Sequence, residues 1–146
     1  MSKHPILIII LCLFTLHGIC QDWQTNFEVA KTAAKESNKP IILVFQGSDW
    51  CAPCIKLDHE VWSSPVFKKY AAENYVMLQA DFPRKKTNQL SKEQTMANKL
   101  LAEKYNQKGI FPLVVLLDAD GKELGKTGYK RLTPEEYIKG LNRYLN

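Results

Sequence analysis

The chain has 146 residues, 45% hydrophobic and 24% charged, with a formal net charge of +5 at pH 7. That is enough for one domain with its own core, and it excludes a collagenous, repetitive or disordered chain. The basic residues are scattered except for Arg84-Lys85-Lys86, and without a dense basic stripe or a recognisable motif they argue against nucleic-acid binding.

The first twenty residues differ from the rest. Lys3 and His4 precede an apolar run from Ile6 to Leu16, and the small residues Gly18 and Cys20 come just before Gln21. Basic, apolar, small is the layout of a secretory signal peptide. Residues 1–20 are therefore expected to be a leader cleaved near Cys20-Gln21, and 21–146 the mature domain. A membrane span needs about 20 apolar residues, so an uncleaved anchor is the lesser alternative. His17-Gly18-Ile19 matches poorly the Leu-small-small stretch that precedes a lipidated cysteine. The expected location is outside the cytoplasm: the periplasm in a bacterium, secreted or in the endoplasmic reticulum lumen in a eukaryote.

Trp23, Phe27, Ala30 and Ala34 have helical spacing, which predicts a helix from Trp23 to about Ser37 that ends before Pro40. Ile41-Ile42-Leu43-Val44-Phe45 reads as a strand buried on both faces. After the loop Gly47-Ser48-Asp49, a helix is expected from Cys51 or Ala52 to about Val61, with Pro53 in its first turn. Ser63-Ser64-Pro65 interrupts it, and a second stretch runs through Tyr70 and Ala72. Tyr75 to Ala80 predicts a strand, Asp81 to about Gln89 a basic loop, and Ser91 to Tyr105 a helix opened by a Ser-x-x-Gln capping box. Leu113–Leu117 and Glu123–Thr127 flank the turn signal Asp118-Ala119-Asp120-Gly121. Thr133 is the expected N-cap of a terminal helix, with Pro134 at its first position and an apolar face of Tyr137, Ile138, Leu141, Tyr144 and Leu145. The order predicts an α/β sandwich with strands at the core.

Loss of the leader removes Cys12 and Cys20 and leaves Cys51 and Cys54. A bridge closing so short a loop stabilises little in the chain-entropy model, so the pair is expected to change redox state rather than staple the fold. At a helix start, the Cys51 sulfur lies near unpaired N–H groups and the positive dipole end, which favours thiolate. Cys51 is then the nucleophile toward a substrate disulfide, and Cys54, one turn on, resolves the mixed disulfide. This requires an exposed Cys51 and a shielded Cys54.

The run Trp50-Cys51-Ala52-Pro53-Cys54, directly after a buried strand, resembles the thioredoxin superfamily, and the resemblance extends over about residues 23 to 145. Gly109-Ile110-Phe111-Pro112 before a strand and an Asp-Gly hairpin is a second matching feature. The lead-in Gln46-Gly47-Ser48-Asp49-Trp50 and the leader look most like exported thioredoxin-like proteins akin to the C-terminal domain of the transmembrane disulfide reductase. The resemblance implies a thioredoxin-like fold, a central mixed β-sheet flanked by helices. It implies a protein-disulfide oxidoreductase, with Cys51 and Cys54 catalytic and Trp50, Phe111 and Pro112 at the substrate groove, Pro112 being cis. No cofactor and no metal are expected. The implied partners are protein thiols and disulfides and a membrane thiol electron donor, and the protein is expected to be a monomer.

This chain departs from the pattern in several places. Typical thioredoxins carry a buried acid six residues before the first cysteine, where Phe45 stands here. Asp58 is a candidate substitute, against its reading as an exposed helix carboxylate. His59 replaces the usual helix-bending proline, so a straighter helix is expected, with His59 itself a surface residue. About a dozen and a half extra residues lie between Asp81 and Pro112, including Arg84-Lys85-Lys86, for which a solvated loop is the default and contact with an acidic partner the alternative. Trp50 reads equally as core or as a shield for the sulfur, and Trp62, Phe67, Tyr70, Phe111 and Tyr129 read on their own as packing residues. Ala52-Pro53 contains no histidine, so no extra cation is expected at the thiolate. That predicts a reducing role at about −200 to −270 mV. The alternatives are a thioredoxin-like binding module with little redox turnover, or a two-coordinate Cu(I) site; zinc lacks its four ligands.

Overall fold

The computed structural model describes residues 22–146, so the predicted leader lies outside the described residues. The elements are β1 (Trp23–Gln24), α1 (Phe27–Ser37), β2 (Ile41–Gln46), α2 (Ala52–Leu57) running into a π-helical turn (Asp58–Trp62), α3 (Pro65–Asn74), β3 (Val76–Asp81), α4 (Lys92–Tyr105), β4 (Leu113–Leu117), β5 (Glu123–Thr127) and α5 (Pro134–Asn142), with a short 3-10 turn at Lys86–Asn88. The sheet order is β1-β3-β2-β4-β5. β2 runs parallel to β3 and antiparallel to β4, and β4 and β5 form the hairpin read from Asp120-Gly121.

Period-two alternation along the central strands divides the core into two layers. Ile42 and Val44 of β2 join Leu57, Val61, Trp62, Phe67, Tyr137 and Leu141 beneath α2, α3 and α5. Ile41, Leu43 and Phe45 face the other way and pack with Ala30, Ala34, Leu101 and Tyr105 of α1 and α4. Ile41 to Phe45 are at most 1% exposed, as a strand covered on both faces requires. The result is the expected mixed sheet flanked by helices.

The first helix starts later than expected. Asn26 adopts an extended conformation and its side chain accepts the N–H groups of Glu28 and Val29, which starts the helix at Phe27. Trp23 instead lies in a two-residue strand paired with Met77 of β3, edge-on to the Trp62 ring at 6.1 Å. The spacing of Trp23 was helical by coincidence; its burial comes from β3 and Trp62. At the other end Asn38, in the left-handed region at φ 53°, closes α1 before Pro40.

The second helix is also not the straight one expected. After Leu57 it widens into the π turn, with Ser63 N–H bonded to Asp58 O at 2.8 Å, and Ser64 then caps α3 with Pro65 in its first turn. The α4 capping box is only half formed. Ser91 Oγ accepts the Gln94 N–H, but the Gln94 amide turns to Thr25 O and Asn98 Oδ1. The full reciprocal box is at Thr133 and Glu136 on α5.

Asn26→Ala is expected to lower the unfolding free energy by about 1 kcal/mol, against a few tenths for Asn26→Gly, measured by urea denaturation.

Candidate active site

Strand register brings four separate segments to one end of the sheet. Gln46 pairs with Asp81 at the ends of two parallel strands, so the loops beginning at Gly47 and at Phe82 leave the sheet side by side. Phe45 pairs with Leu113, which places Phe111-Pro112 at the same end, and Val114 pairs with Thr127, which adds Gly128. Two buried amides hold this end. Asn98 donates to Asp81 O at 2.9 Å. Asn106 bonds both ways to Ile110, through Nδ2 to O at 2.8 Å and through Oδ1 from N–H at 2.9 Å. It thereby shapes the turn that leads into Phe111.

Cys51 and Cys54 are joined by a disulfide with Cα atoms 5.2 Å apart. Cys51 is the N-cap of α2 in an extended conformation (φ −86°, ψ 98°), and its sulfur accepts the Cys54 N–H at 3.3 Å. Pro53 in the first turn has no N–H to offer, so the Cys54 amide is the donor that reaches the sulfur. When the bond is reduced, that donor and the helix dipole face a charge on Cys51. The expected exposed-shielded asymmetry is absent in the oxidised form, where both cysteines are 4% exposed. The Cys51 side chain folds back over the first turn of α2 to meet the Cys54 amide, which takes it out of solvent.

Trp50 is neither plain core nor a free-standing shield. Its indole N–H donates to Phe82 O at 2.7 Å, and its ring meets the edge of Phe111 at 5.5 Å. Phe111 in turn meets Phe82 at 5.5 Å. The Arg84 guanidinium lies on the Trp50 ring, its Cζ 3.7 Å from the centroid, a cation–π contact. Beside it the Asp49 carboxylate accepts the N–H groups of Arg84 and Lys85, each at 2.9 Å, and the Asn88 amide at 3.0 Å. These donors hold the Asp49 pKa below the usual carboxylate range, the Arg84 N–H contributing most. Asp81 likewise accepts both Ser48 N–H and Ser48 Oγ. The loop read as a solvated insertion is therefore clasped to the cysteine loop. It also places a guanidinium one residue from Cys51, where no extra cation was expected.

Among the other residues singled out, Phe111 joins the Trp50 stack. Pro112 follows a cis peptide bond, as the resemblance implies, and is buried. A Cβ on Gly128 would come 3.2 Å from Pro112 O, so Gly128 permits that close approach. Phe45 is fully buried in the layer that Phe82 and Phe111 also touch; an apolar ring occupies the place of the usual acid. Asp58 is exposed and accepts from Ser63 Oγ at 3.3 Å, which fits a local cap better than a proton relay. His59 is exposed. Tyr129 ties the loop after β5 to the π turn through Glu60 at 2.8 Å, and this contact raises the Tyr129 pKa. Sequence reasoning gave no specific role to Gly47, Asp49, Phe82 or Gly128, and it singled out Arg84 without its contact to Trp50. The one signal available was Gly47: a Cβ there would lie 2.2 Å from the Trp50 indole, so a glycine three residues before Trp50 marks a ring folded back onto backbone. Among the described residues, no group of three or more His, Cys, Asp or Glu is placed to hold a metal ion, and no helix is long and apolar enough to cross a membrane.

Residues 22–119 match a family model described as thioredoxin-like. The chain is 39% identical over 108 residues to a Chlamydia pneumoniae protein named disulfide bond reductase DsbH, covering 74% of this chain and 63% of that protein. It thus spans less than two thirds of this relative's length. The solved structure of a DsbH oxidoreductase superposes with a TM-score of 0.78 at 34% identity, over 85% of this chain and 83% of that one. The oxidised C-terminal domain of Neisseria meningitidis DsbD superposes with a TM-score of 0.55 at 20% identity, over 80% and 90%, a likeness of fold.

Asp49→Ala is expected to speed hydrogen exchange at the Arg84 and Lys85 amides by about an order of magnitude while the exchange of β2 is unchanged. In the unsubstituted protein the clasp should be complete above the ordinary carboxylate range. It should be lost as pH falls through the lowered Asp49 value, because protonation removes an acceptor that the unfolded chain does not need. Amide exchange across an acid series checks the sign.

Proposed function

The chain belongs to the thioredoxin-like family, and from that premise we propose that it is a thiol–disulfide oxidoreductase acting on protein substrates outside the cytoplasm, as the reductant. The observation that carries this reading is the Cys51 sulfur at the start of α2, accepting the Cys54 N–H in a closed Cys-x-x-Cys pair. In the reduced protein the Cys51 thiolate attacks one sulfur of a substrate disulfide, and the other leaves as a thiolate that takes up a proton. Cys54, after losing its proton, attacks the Cys51 sulfur of the mixed disulfide. The products are the Cys51–Cys54 disulfide and a substrate dithiol, two electrons having passed to the substrate. A thiol donor, for which a membrane-embedded carrier is the expected source, then reduces the pair again.

Trp50, Phe111 and Pro112 are the proposed substrate-side surface. Support comes from the Trp50–Phe111 contact and from the register that brings Pro112 to the cysteine end of the sheet. The domain is proposed to comprise residues 21–146 after removal of the leader, and to act as a monomer without cofactor. The name of the DsbH relative supports the reductive direction. The expected potential lies in the range of about −200 to −270 mV, that of the reducing thiol enzymes.

Cys54→Ala should accumulate mixed disulfides through Cys51 that vanish on adding dithiothreitol, and Cys51→Ser should abolish insulin reduction. Absence of both trapped species and insulin turnover would leave a binding module as the better reading. Equilibration with a glutathione series should return a potential between about −200 and −270 mV; a value close to about −120 mV, that of the strong oxidants, would reverse the direction.

A further inference from the structure

Arg84, Lys85 and Lys86 are exposed, and from Phe82 to Lys92 the chain carries four cations and no carboxylate. Among the described residues the ion pairs use Lys31, Lys35 and Lys126; none neutralises this loop. The Asp49 carboxylate accepts the Arg84 and Lys85 N–H groups and the Asn88 amide, and Asp81 accepts from Ser48. Neither acid forms an ion pair with a loop side chain, although the charged Asp49 lies close enough to Lys85 to be stabilised by it and so offsets part of the loop's charge. Stacking on Trp50 uses the face of the Arg84 guanidinium and leaves its in-plane N–H edge for an acceptor.

A mobile basic loop would only raise the local positive potential. This one is fastened by its backbone to the two residues before Cys51, through the Asp49 carboxylate and the Trp50 indole, so its backbone keeps a set position beside the cysteine loop. We propose that the loop from Phe82 to Gln89 is a substrate-docking rim that binds acidic polypeptide segments flanking the target disulfide, with Arg84, Lys85 and Lys86 as the contacts. Docking orients the segment before thiol exchange and adds selectivity for substrates of one charge. The proposal rests on the oxidoreductase reading for its biological sense, but the binding itself does not require turnover.

The test uses two fluorescent peptides with serine in place of cysteine, identical except that the flanking residues are Glu in one and Gln in the other. Binding to the oxidised, full mature protein is followed by anisotropy. The acidic peptide should bind about fivefold or more tighter, a preference in the range of a few exposed charge pairs. The preference should shrink as salt shortens the screening length. Lys85→Gln/Lys86→Gln should remove most of it, because the clasp uses only the backbone of Lys85. Lys68→Gln/Lys69→Gln on α3, which changes net charge equally, should preserve it. Equal affinities for the two peptides, no binding of either, or a preference that survives Lys85→Gln/Lys86→Gln would each overturn the proposal. Insulin reduction measured on the same preparations separates the two readings. Lost turnover with intact acidic preference removes the oxidoreductase reading alone, and intact turnover without preference removes the rim alone.

Discussion

The parallel pairing of β2 with β3 is the constraint on which the site depends. Both strands end at the same level, Gln46 opposite Asp81, so whatever follows each must share one rim of the sheet. One continuation is the cysteine loop and the other is the basic loop. The antiparallel pairing of β2 with β4 then delivers Phe111 and Pro112 to that rim from the opposite chain direction. β2 can make both pairings because its side chains are covered on both faces, and such a strand is held in the middle of a sheet. The site lies beyond the carboxyl ends of parallel strands, the common location in α/β folds.

Within that frame the cysteine pair and the aromatic cluster beside it are linked through two adjacent residues. Cys51 turns inward to the first turn of α2, and Trp50 turns outward onto Phe82, Phe111 and Arg84. Asp49, one residue earlier, holds the same loop by its carboxylate. Movement of the Phe82–Gln89 loop would therefore reach the indole beside Cys51. Gly47 sets the lower limit on how closely this packs, since any side chain there would strike the indole.

Local signals read well where one short stretch contained the whole cause. The β2 apolar run, the Thr133-Pro134 helix start, the Asp-Gly hairpin and the placement of the cysteine pair at a helix start all needed only neighbours in sequence. Reading failed where a distant partner decided. Trp23 has helical spacing but pairs with β3. Gln94 fits a capping box but finds better acceptors at Thr25 and Asn98. For Asp58 the reading as an exposed helix carboxylate holds, since it faces solvent and Ser63.

By itself, the sequence determined the reactive group. Two cysteines two residues apart, behind a buried strand and ahead of a proline-bearing first turn, admit few chemistries, and each of those features is local. It also marked Pro112 and Phe111 through a resemblance, and the strand register places both at the cysteine end of the sheet. Only the tertiary structure decided that Arg84, thirty-three residues after Cys51, stacks on its neighbour Trp50, and that Asp49 spends its carboxylate on a loop from another strand. Contacts between loops follow from which strand ends meet, and strand pairing is a long-range choice made by the whole core rather than by the residues of either loop.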